Sequence, residues 1–307
     1  MEDRVPEEHA PFVRRDLYGT MGMKRQNVFE RARLALMCVT LLPLRFITCV
    51  SIVALYYLVC VAFPESERVN RLALSTLSRA VLFVTGFLSI KVDRAESASE
   101  VEVGGIVCNH VSWADILIIC WLFAPSFVAR RATMDTPLIG RISVAMDCLF
   151  VDRPEDIPGG GRGTAQALRD RMALAHRAKS SRPVAVFAEG TTTNGDYLLP
   201  FKSGAFLARV PVKIALVRYR GKRVSPAWES ISGLRHVILM LCEPWHRAQV
   251  TIFDFHPKPG ETAEGYRERA RAKVLEVSGL RPSSATFQDK RAYHRLLLSA
   301  PSGNKTE

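Results

Sequence analysis

The sequence predicts an α/β fold: a single domain with a central, mostly parallel or mixed sheet flanked by helices, preceded by an N-terminal pair of membrane helices. Two observations lead to this prediction. After Lys91, short apolar runs alternate with longer amphipathic ones, and such alternation is typical of strands and helices that share one core. Before residue 64, a long and almost uncharged apolar stretch predicts the membrane helices.

The first apolar stretch is long enough to cross a bilayer. Between Leu34 and Phe63 the only charged residue is Arg45, and about eighteen uncharged apolar residues suffice for a membrane helix. A second stretch, Leu72–Ile90, is interrupted by Arg79. Because an arginine at mid-bilayer costs roughly 2.5–3.5 kcal/mol, we expect this stretch to lie at the membrane interface or to pack against protein. A buried helical hairpin of a soluble protein is the alternative for both stretches.

The alternation after Lys91 also predicts the individual elements of the domain. We expect strands at Val101–Cys108, Ser126–Ala129, Cys148–Val151, Pro183–Phe187, Val212–Tyr219 and Val250–Phe255. We expect helices at Ala114–Trp121, Gly163–Lys179, Gly204–Ala208, Trp228–Leu241 and Ala263–Val277. The chain then divides into a polar N-terminal tail (1–25), a membrane-associated helical segment (26–92), the α/β domain (93–281) and a polar C-terminal tail (282–307).

Charge and cysteine usage narrow the classes of partner. The chain of 307 residues carries a net charge of +12, which favours an anionic partner. No zinc-finger spacing or aromatic RNA-binding signature accompanies the charge, so an anionic membrane surface or a phosphate-rich ligand is favoured over nucleic acid. The seven cysteines form no C-x-x-C pair. We therefore expect buried thiols in a reducing compartment, without a disulfide frame or a metal site.

The first group of residues suited to chemistry follows the strand predicted to end at Cys108. His110 and Asp115 are five positions apart, and such positions point about 140° apart on a continuous helix, so their side chains meet only if the chain turns between them. A carboxylate that holds a histidine fixes its tautomer and stabilises the imidazolium, which is the base half of a catalytic triad. The structural alternative is a capping box, Ser112-x-x-Asp115, and both interpretations can hold together.

Two further segments carry polar residues at predicted strand ends. Segment 187–206 contains Phe187-Ala188-Glu189-Gly190-Thr191 and, further along, Lys202. It follows a predicted strand, and loops at strand ends are where α/β proteins hold ligands. Its Asn194-Gly195 pair is also typical of an ordinary hairpin turn. The run Leu149–Arg153 is a predicted strand that ends in an acid and an arginine. The arginine suits phosphate binding, and a surface ion pair is the structural alternative.

Taken together, these segments resemble the glycerophospholipid acyltransferase family. The matching blocks occur in that family's order and approximate spacing: His110-x4-Asp115, Phe-Val-Asp-Arg at 150–153, Glu189-Gly190-Thr191 and Val210-Pro211-Val212. The resemblance covers roughly residues 30 to 220. It is strongest toward the branch that acylates lysophosphatidylcholine and lysophosphatidylethanolamine, because Glu-Gly-Thr-Thr-Thr-Asn-Gly is followed by Phe-Lys-Ser-Gly-Ala-Phe.

The resemblance implies direct transfer of a fatty acyl group from acyl-CoA, as co-substrate, to the free glycerol hydroxyl of a lysophospholipid, without a cofactor or a metal. His110 would act as the general base, oriented by Asp115. The residues implied in substrate binding are Arg153, Glu189, Gly190, Thr191 and Lys202. Among them, the arginine and the lysine would hold phosphate, and the others would shape the acceptor site.

One departure from the family bears on the acceptor. Acyltransferases specific for lysophosphatidic acid usually carry an arginine where this sequence has Thr192. Without that guanidinium, a terminal phosphate dianion loses a bidentate partner, so a headgroup-bearing phosphodiester is favoured. Acylation of 1-acylglycerol-3-phosphate or glycerol-3-phosphate remains an alternative, as does a non-enzymatic membrane lipid-binding protein. A serine lipase is disfavoured because the sequence has no G-x-S-x-G elbow.

The flanking charges and the resemblance together predict the location. Basic residues precede the first apolar stretch at positions Lys24, Arg25, Arg31 and Arg33. The positive-inside rule then places the N-terminus in the cytosol. A single span would put the domain on the far side, away from cytosolic acyl-CoA, so we expect a helical hairpin or an in-plane helix pair. The endoplasmic reticulum membrane is implied by the family alone.

Overall fold

The computed structural model describes residues 5–95, 103–152, 162–178, 181–221 and 223–299. Its strands are β1 Ser89–Arg94, β2 Gly105–Cys108, β3 Ser126–Arg130, β4 Leu149–Val151, β5 Val184–Phe187, β6 Tyr197–Leu198, β7 Val212–Arg220, β8 Arg247–Phe255 and β9 Arg281–Pro282. Its helices are α1 Val28–Val39, α2 Leu41–Ala62, α3 Glu67–Val84, α4 Ala114–Phe123, α5 Ile139–Ala145, α6 Arg162–Arg177, α7 Gly233–Cys242, α8 Ala263–Ser278 and α9 Phe287–Ser299.

The central sheet is mixed, as the sequence predicts. Its strand order is β1-β8-β7-β2-β5-β3-β4. All neighbouring pairs are parallel except β7 and β8, which are antiparallel. Strand β2 lies in the middle, between β7 and β5, and each of its residues is buried. Parallel strands bring their carboxyl ends to one edge of a sheet, which is where ligands bind in folds of this class.

Some elements differ from the prediction. Strand β1 occupies the end of the second apolar stretch, because Ile90 and Val92 pack into the core beside β8 instead of continuing a helix. The segment predicted as a helix at Gly204–Ala208 is a short 3-10 turn, Ser203–Phe206. Helix α7 begins at Gly233, five residues later than predicted, because the chain before it forms an irregular loop.

Among the described residues, one helical stretch is long and apolar enough to cross a membrane: Val28–Ala62, formed by α1 and α2. Only 6% of its most apolar window is buried within the protein. Its single mid-stretch charge, Arg45, donates hydrogen bonds to the carbonyl oxygens of Leu241, Glu243 and Pro244 at 2.9, 2.6 and 2.7 Å. Arg45 therefore binds the carbonyl end of α7, where a cation is favoured.

The predicted partner in the membrane pair, α3, is amphipathic and does not meet the same criteria. It buries Leu74 and Leu82 against the rest of the protein. Its Arg79 donates to the carbonyl oxygens of Phe87 and Leu88 at 3.1 and 2.9 Å. The interrupted stretch thus packs against protein, and the structure has one N-terminal apolar helical stretch where the sequence predicts a pair.

Both segments predicted to be polar tails contain residues that pack against the domain. In the N-terminal segment, Phe12 is fully buried, and the buried guanidinium of Arg14 pairs with Glu229 at 3.2 Å. At the other end, α9 buries Tyr293 in a cluster with Phe12 and Leu199. The average composition of these segments is polar, but a few apolar residues and paired charges are enough to dock them.

Candidate active site

His110 lies on the turn between the end of β2 and the start of α4, at the carboxyl edge of the sheet. Its Nδ1 lies 2.9 Å from Oδ2 of Asp115, in the first turn of α4. The same oxygen accepts the backbone N–H groups of Val111 and Ser112 at 2.7 and 2.8 Å. Asp115 therefore closes the turn that leads into α4 and holds the imidazole at once. Of the predicted capping box, only the half in which Asp115 accepts the N–H of Ser112 is present, because the hydroxyl of Ser112 accepts from Ala114.

The Asp115 carboxylate is fully buried and has a further partner that the sequence reasoning missed. The hydroxyl of Tyr219, the penultimate residue of β7, donates to Oδ1 at 2.5 Å. Burial, together with the adjacent carboxylate, raises the pKa of Tyr219 well above its usual range, so this hydroxyl stays protonated and remains a donor. No signal in the sequence marks this tyrosine, because the contact joins residues 104 positions apart.

The imidazole of His110 is held on one face and open on another. The ring of Phe187, the last residue of β5, stacks on it with centroids 4.0 Å apart and an interplanar angle of 18°. With Nδ1 donating to Asp115, Nε2 carries the lone pair. In the described part of the chain Nε2 has no hydrogen-bond partner, and the side chain is 19% exposed. In this tautomer Nε2 is therefore free to accept a hydrogen bond from a ligand.

The carboxylate of Glu189, which the resemblance assigns to the acceptor site, is buried in the protein. Oε1 accepts the backbone N–H of His110 and Oε2 accepts that of Leu199, each at 2.9 Å. Burial raises the pKa of Glu189 to about 8. Its geometry is that of a clamp that joins the His110 turn to the segment entering the next loop, because both carboxylate oxygens are occupied by backbone donors.

Gly190 and Lys202 lie together on the surface beside this clamp. Gly190 has a φ of +69°, which favours glycine, and a Cβ there would lie 2.4 Å from Cε of Lys202. The exposed lysine side chain thus passes directly over the glycine. Thr191 is buried. Arg153, the other residue expected to hold phosphate, lies outside the described residues, and its neighbour Asp152 pairs with Arg131 at 3.1 Å.

A lysine of helix α9 donates hydrogen bonds to the loop that contains Thr192. Lys290 of α9 donates to the carbonyl oxygen and hydroxyl of Thr192 at 2.8 and 2.5 Å and to the carbonyl oxygen of Trp228 at 3.2 Å. Burial lowers the pKa of Lys290 to about 8. No sequence motif marks this lysine, because its role depends on a contact 98 positions away in the chain.

The N-terminal segment holds the other side of the same loop. The side-chain amide of Asn194 donates to the carbonyl oxygens of Ala10 and Val13 at 3.0 Å each, and its backbone N–H donates to Pro11 at 2.8 Å. Asn194 therefore binds the N-terminal segment instead of forming only a local turn. Across the described ranges, no group of three or more His, Cys, Asp or Glu side chains is arranged to hold a metal ion.

Comparison with known proteins shows the family to which the chain belongs. The acyltransferase family profile matches residues 89–217, which include the His110–Asp115 pair and the Glu189 loop. The chain is 34% identical to the lysophospholipid acyltransferase LPEAT1 of Arabidopsis thaliana, over 96% of this chain and 88% of that protein. This chain belongs to the glycerophospholipid acyltransferase family. It is therefore an acyltransferase, and the resemblance found in its sequence is confirmed.

Other members of the family match a smaller share of their own length. The acyltransferase is 30% identical to the lysophosphatidylcholine acyltransferase of Drosophila melanogaster and 27% identical to lysophosphatidylcholine acyltransferase 2 of Mus musculus. The alignments cover 64% and 76% of this chain, but the chain spans only 37% and 42% of those proteins.

A crystal structure supports the fold. The 1-acyl-sn-glycerophosphate acyltransferase PlsC of Thermotoga maritima superposes with a TM-score of 0.53, at 19% identity, over 81% of this chain and 96% of that one. Tyr219 and Lys290 lie beyond the residues that the family profile matches. These two residues thus contact the candidate site of this acyltransferase from outside the family's motif blocks.

Proposed function

We propose that this acyltransferase transfers a fatty acyl group from acyl-CoA to the free glycerol hydroxyl of a lysophospholipid. The observation that carries the proposal is the His110–Asp115 pair, whose 2.9 Å hydrogen bond at Nδ1 leaves Nε2 as an acceptor on a partly exposed ring. A base of this kind suits removal of a proton from an alcohol. The relatives named above, which carry lysophospholipid or lysophosphatidylcholine in their names, support the acceptor class.

In this reaction, Nε2 of His110 accepts the hydroxyl proton while the glycerol oxygen attacks the thioester carbonyl carbon. Asp115 stabilises the imidazolium that forms, and Tyr219 and two backbone N–H groups hold Asp115 in place. The carbon–sulfur bond then breaks, the new ester remains, and the proton passes from the imidazolium to the departing CoA sulfur. The reaction thus needs neither a covalent enzyme intermediate nor a cofactor.

For the acceptor we favour a phosphodiester with a choline or ethanolamine headgroup. At position 192, where an arginine would suit a terminal phosphate, the threonine is buried and its hydroxyl hydrogen-bonds with the carbonyl of Trp228 and with Lys290. A phosphodiester carries one negative charge and needs fewer cationic partners. We assign Lys202, which is exposed above Gly190, to the phosphate, with Arg153 as the second cation.

We place the enzyme on a membrane, held there by Val28–Ala62 lying in the interface or turning back without crossing. The N-terminal segment packs against the domain through Phe12 and Arg14, so both lie on the same side, where the domain is accessible to cytosolic acyl-CoA. The support is the length of this apolar stretch and its small buried share. The basic residues that precede it favour a cytosolic N-terminus. The endoplasmic reticulum is the location that the family resemblance implies.

The test is acyl transfer from oleoyl-CoA to a panel of lysophospholipids, using membranes that carry wild-type, His110→Ala or His256→Ala protein. His256 is an exposed histidine after β8 and is the matched control. We expect transfer to choline or ethanolamine lysolipids with wild type and the control, and none with His110→Ala. Transfer only to lysophosphatidic acid would overturn the acceptor proposal. Wild-type rates in His110→Ala would overturn the base assignment.

A further inference from the structure

A cleft separate from the His110 site lies between the N-terminal segment, α1 and the start of α7. Its volume is about 970 Å³. Four of the side chains that line it are cationic: Lys24, Arg25, Arg31 and Arg235. No aspartate or glutamate lines it. A cleft with this charge attracts an anion, because no lining carboxylate offsets the positive potential.

The four cations have no acidic partners in the part of the chain that the structure describes. The nearby arginine Arg33 differs, since it pairs with Glu30 at 2.6 Å. Glu30 also accepts the hydroxyl of Tyr18 at 2.6 Å, so this carboxylate is already occupied. The positive charge of the cleft is therefore left uncompensated by the protein itself.

The walls of the cleft are fixed by close packing. Tyr18 is buried in the core beneath it. Gly22 has a φ of +67°, and a Cβ there would lie 2.7 Å from Cδ1 of Ile231 and 3.2 Å from Cδ of Arg235. The N-terminal segment thus approaches α7 at a glycine that no other residue could replace without a shift. This contact holds Arg235 and the N-terminal cations on the two sides of one cleft.

The rim of the cleft is apolar and continues into the candidate membrane stretch. Leu234 of α7 lines the cleft and is 76% exposed. Val28 of α1, which is 75% exposed, lines an adjoining groove that shares Arg31 and Leu34 with the cleft. A soluble phosphate compound would neutralise the cations but would leave these side chains in water. A ligand that is both anionic and carries hydrocarbon satisfies the cations and the rim together.

We propose that this cleft binds the phosphate headgroup of an anionic membrane phospholipid, whose acyl chains lie along the exposed apolar side chains of α1. The lipid is a structural ligand at the membrane surface and not the acyl acceptor. The proposal rests on the membrane location argued above. It does not depend on the acyl-transfer reaction. The protein could turn over substrate without binding lipid in this cleft, or bind lipid here without turning over substrate, so the two proposals are tested separately.

The experiment uses the full chain purified in an uncharged detergent. Its melting temperature is measured at increasing concentrations of dihexanoyl phosphatidylglycerol, which is anionic, and of dihexanoyl phosphatidylcholine, which is zwitterionic. We expect a larger stabilisation by phosphatidylglycerol. In Arg31→Gln/Arg235→Gln we expect its apparent affinity to fall about thirtyfold, from roughly 1 kcal/mol per cation at a membrane surface. Lys258→Gln/Lys273→Gln, which removes two lysines that do not line the cleft, should behave as wild type.

Three outcomes would overturn the proposal. The first is an equal phosphatidylglycerol response in wild type and in the double glutamine variant. The second is equal stabilisation by phosphatidylcholine. The third is equal stabilisation by inorganic phosphate or adenosine 3′,5′-bisphosphate, which would assign the cations to phosphate without lipid. Arg31→Lys/Arg235→Lys keeps both charges, so its near-normal response would exclude a general folding defect and support the proposal.

Discussion

The ammonium group of Lys290 donates hydrogen bonds to both the carbonyl oxygen and the hydroxyl of Thr192, at 2.8 and 2.5 Å. The next backbone N–H, that of Thr193, donates to the carbonyl oxygen of His110 at 3.0 Å. Trp228, the other acceptor of Lys290, donates its own N–H to the carbonyl oxygen of Val111 at 2.8 Å. Helix α9 is thereby linked to the two peptide groups that fix the position of the His110 turn.

Replacing Lys290 with methionine should therefore lower kcat for acyl transfer by about tenfold or more, because a small displacement of a catalytic group costs a large factor in rate. KM should change little, since Lys290 faces the back of the loop. Lys290→Arg keeps the charge and several donors and should recover much of the rate. Steady-state kinetics with oleoyl-CoA and the preferred lysolipid, alongside melting temperatures, would measure both effects.

The matched control is Arg291→Met, because Arg291 is an exposed cation on the same helix. It should retain wild-type kcat. If Lys290→Met also kept wild-type kcat in folded protein, the link between α9 and the His110 turn would have no role in turnover. If Lys290→Met lowered the melting temperature together with kcat, and Lys290→Arg restored neither, Lys290 would have a purely structural role.

A second prediction concerns the hydroxyl of Tyr219, which donates to buried Asp115 at 2.5 Å. Tyr219→Phe removes the donor and leaves one carboxylate oxygen without this partner. Hydrogen bonds to charged groups contribute about 1.5–3 kcal/mol, so we expect the free energy of unfolding to fall by about that amount. Because the bond from Asp115 to His110 remains, kcat should fall far less than in His110→Ala.

Chemical denaturation and kinetics of the purified variant would check this. Tyr197→Phe is a suitable control, since Tyr197 lies on the small strand β6 and does not contact Asp115. An unchanged stability in Tyr219→Phe would mean that the hydroxyl adds nothing to the Asp115 network. A kcat as low as that of His110→Ala would instead give the tyrosine a direct role.

The residues of the site that could be predicted are those whose partners are near in sequence or belong to a motif. His110 and Asp115 are five positions apart, and their meeting needs only the local turn that the strand-to-helix junction makes. Tyr219 and Lys290 could not be predicted, because each is defined by contacts 62 to 104 positions away in the chain. The orientation of Glu189 carries no sequence signal either, because its partners are backbone N–H groups, one of them 79 positions away.

In the fold, too, some features can be predicted from the sequence and others cannot. The alternation of strands and helices predicts the mixed sheet, because periodicity reports which side chains face the core. Polar composition predicts tails at both ends because it averages over many residues, whereas docking depends on a few. Phe12 and Tyr293 bury the apolar part of this contact, and the ion pair of Arg14 with Glu229 satisfies the charged part.

The third prediction tests this N-terminal contact. The buried guanidinium of Arg14 pairs with Asp16 and with Glu229. Arg14→Met would leave the Glu229 carboxylate buried without its cation, and breaking such a pair costs about 3–5 kcal/mol. Adding Glu229→Leu should restore part of the loss, because the double variant no longer buries that carboxylate. Denaturation curves of the three proteins would give these differences.

The neighbouring residue supplies the control for Arg14. Arg15 pairs with Asp196 at 2.9 Å, and unlike the buried pair the two side chains are 32% and 49% exposed. Exposed pairs contribute about 0–1 kcal/mol, so Arg15→Met should change stability little. Equal effects of Arg14→Met and Arg15→Met would show that the N-terminal segment is not part of the cooperative fold.

The last prediction uses the pH dependence of stability. Burial raises the pKa of Glu189 from its usual 4.5 to about 8. Between these values the folded state keeps a proton that the unfolded state has lost, so the free energy of unfolding falls as pH rises through this window. Glu189→Gln cannot titrate and should flatten this part of the slope between pH 5 and pH 8. Because glutamine has one acceptor oxygen for two N–H groups, the variant should also lose kcat.

A surface carboxylate with the opposite shift provides the comparison. Hydrogen bonds from Arg269 lower the pKa of Glu261 to about 2, so its contribution to stability is complete above pH 4.5 and is lost only as pH falls toward 2. Glu261→Gln should therefore leave the slope between pH 5 and pH 8 unchanged. If Glu189→Gln also left that slope unchanged, the Glu189 carboxyl would already be ionised at pH 5, and the two backbone N–H bonds would outweigh its burial.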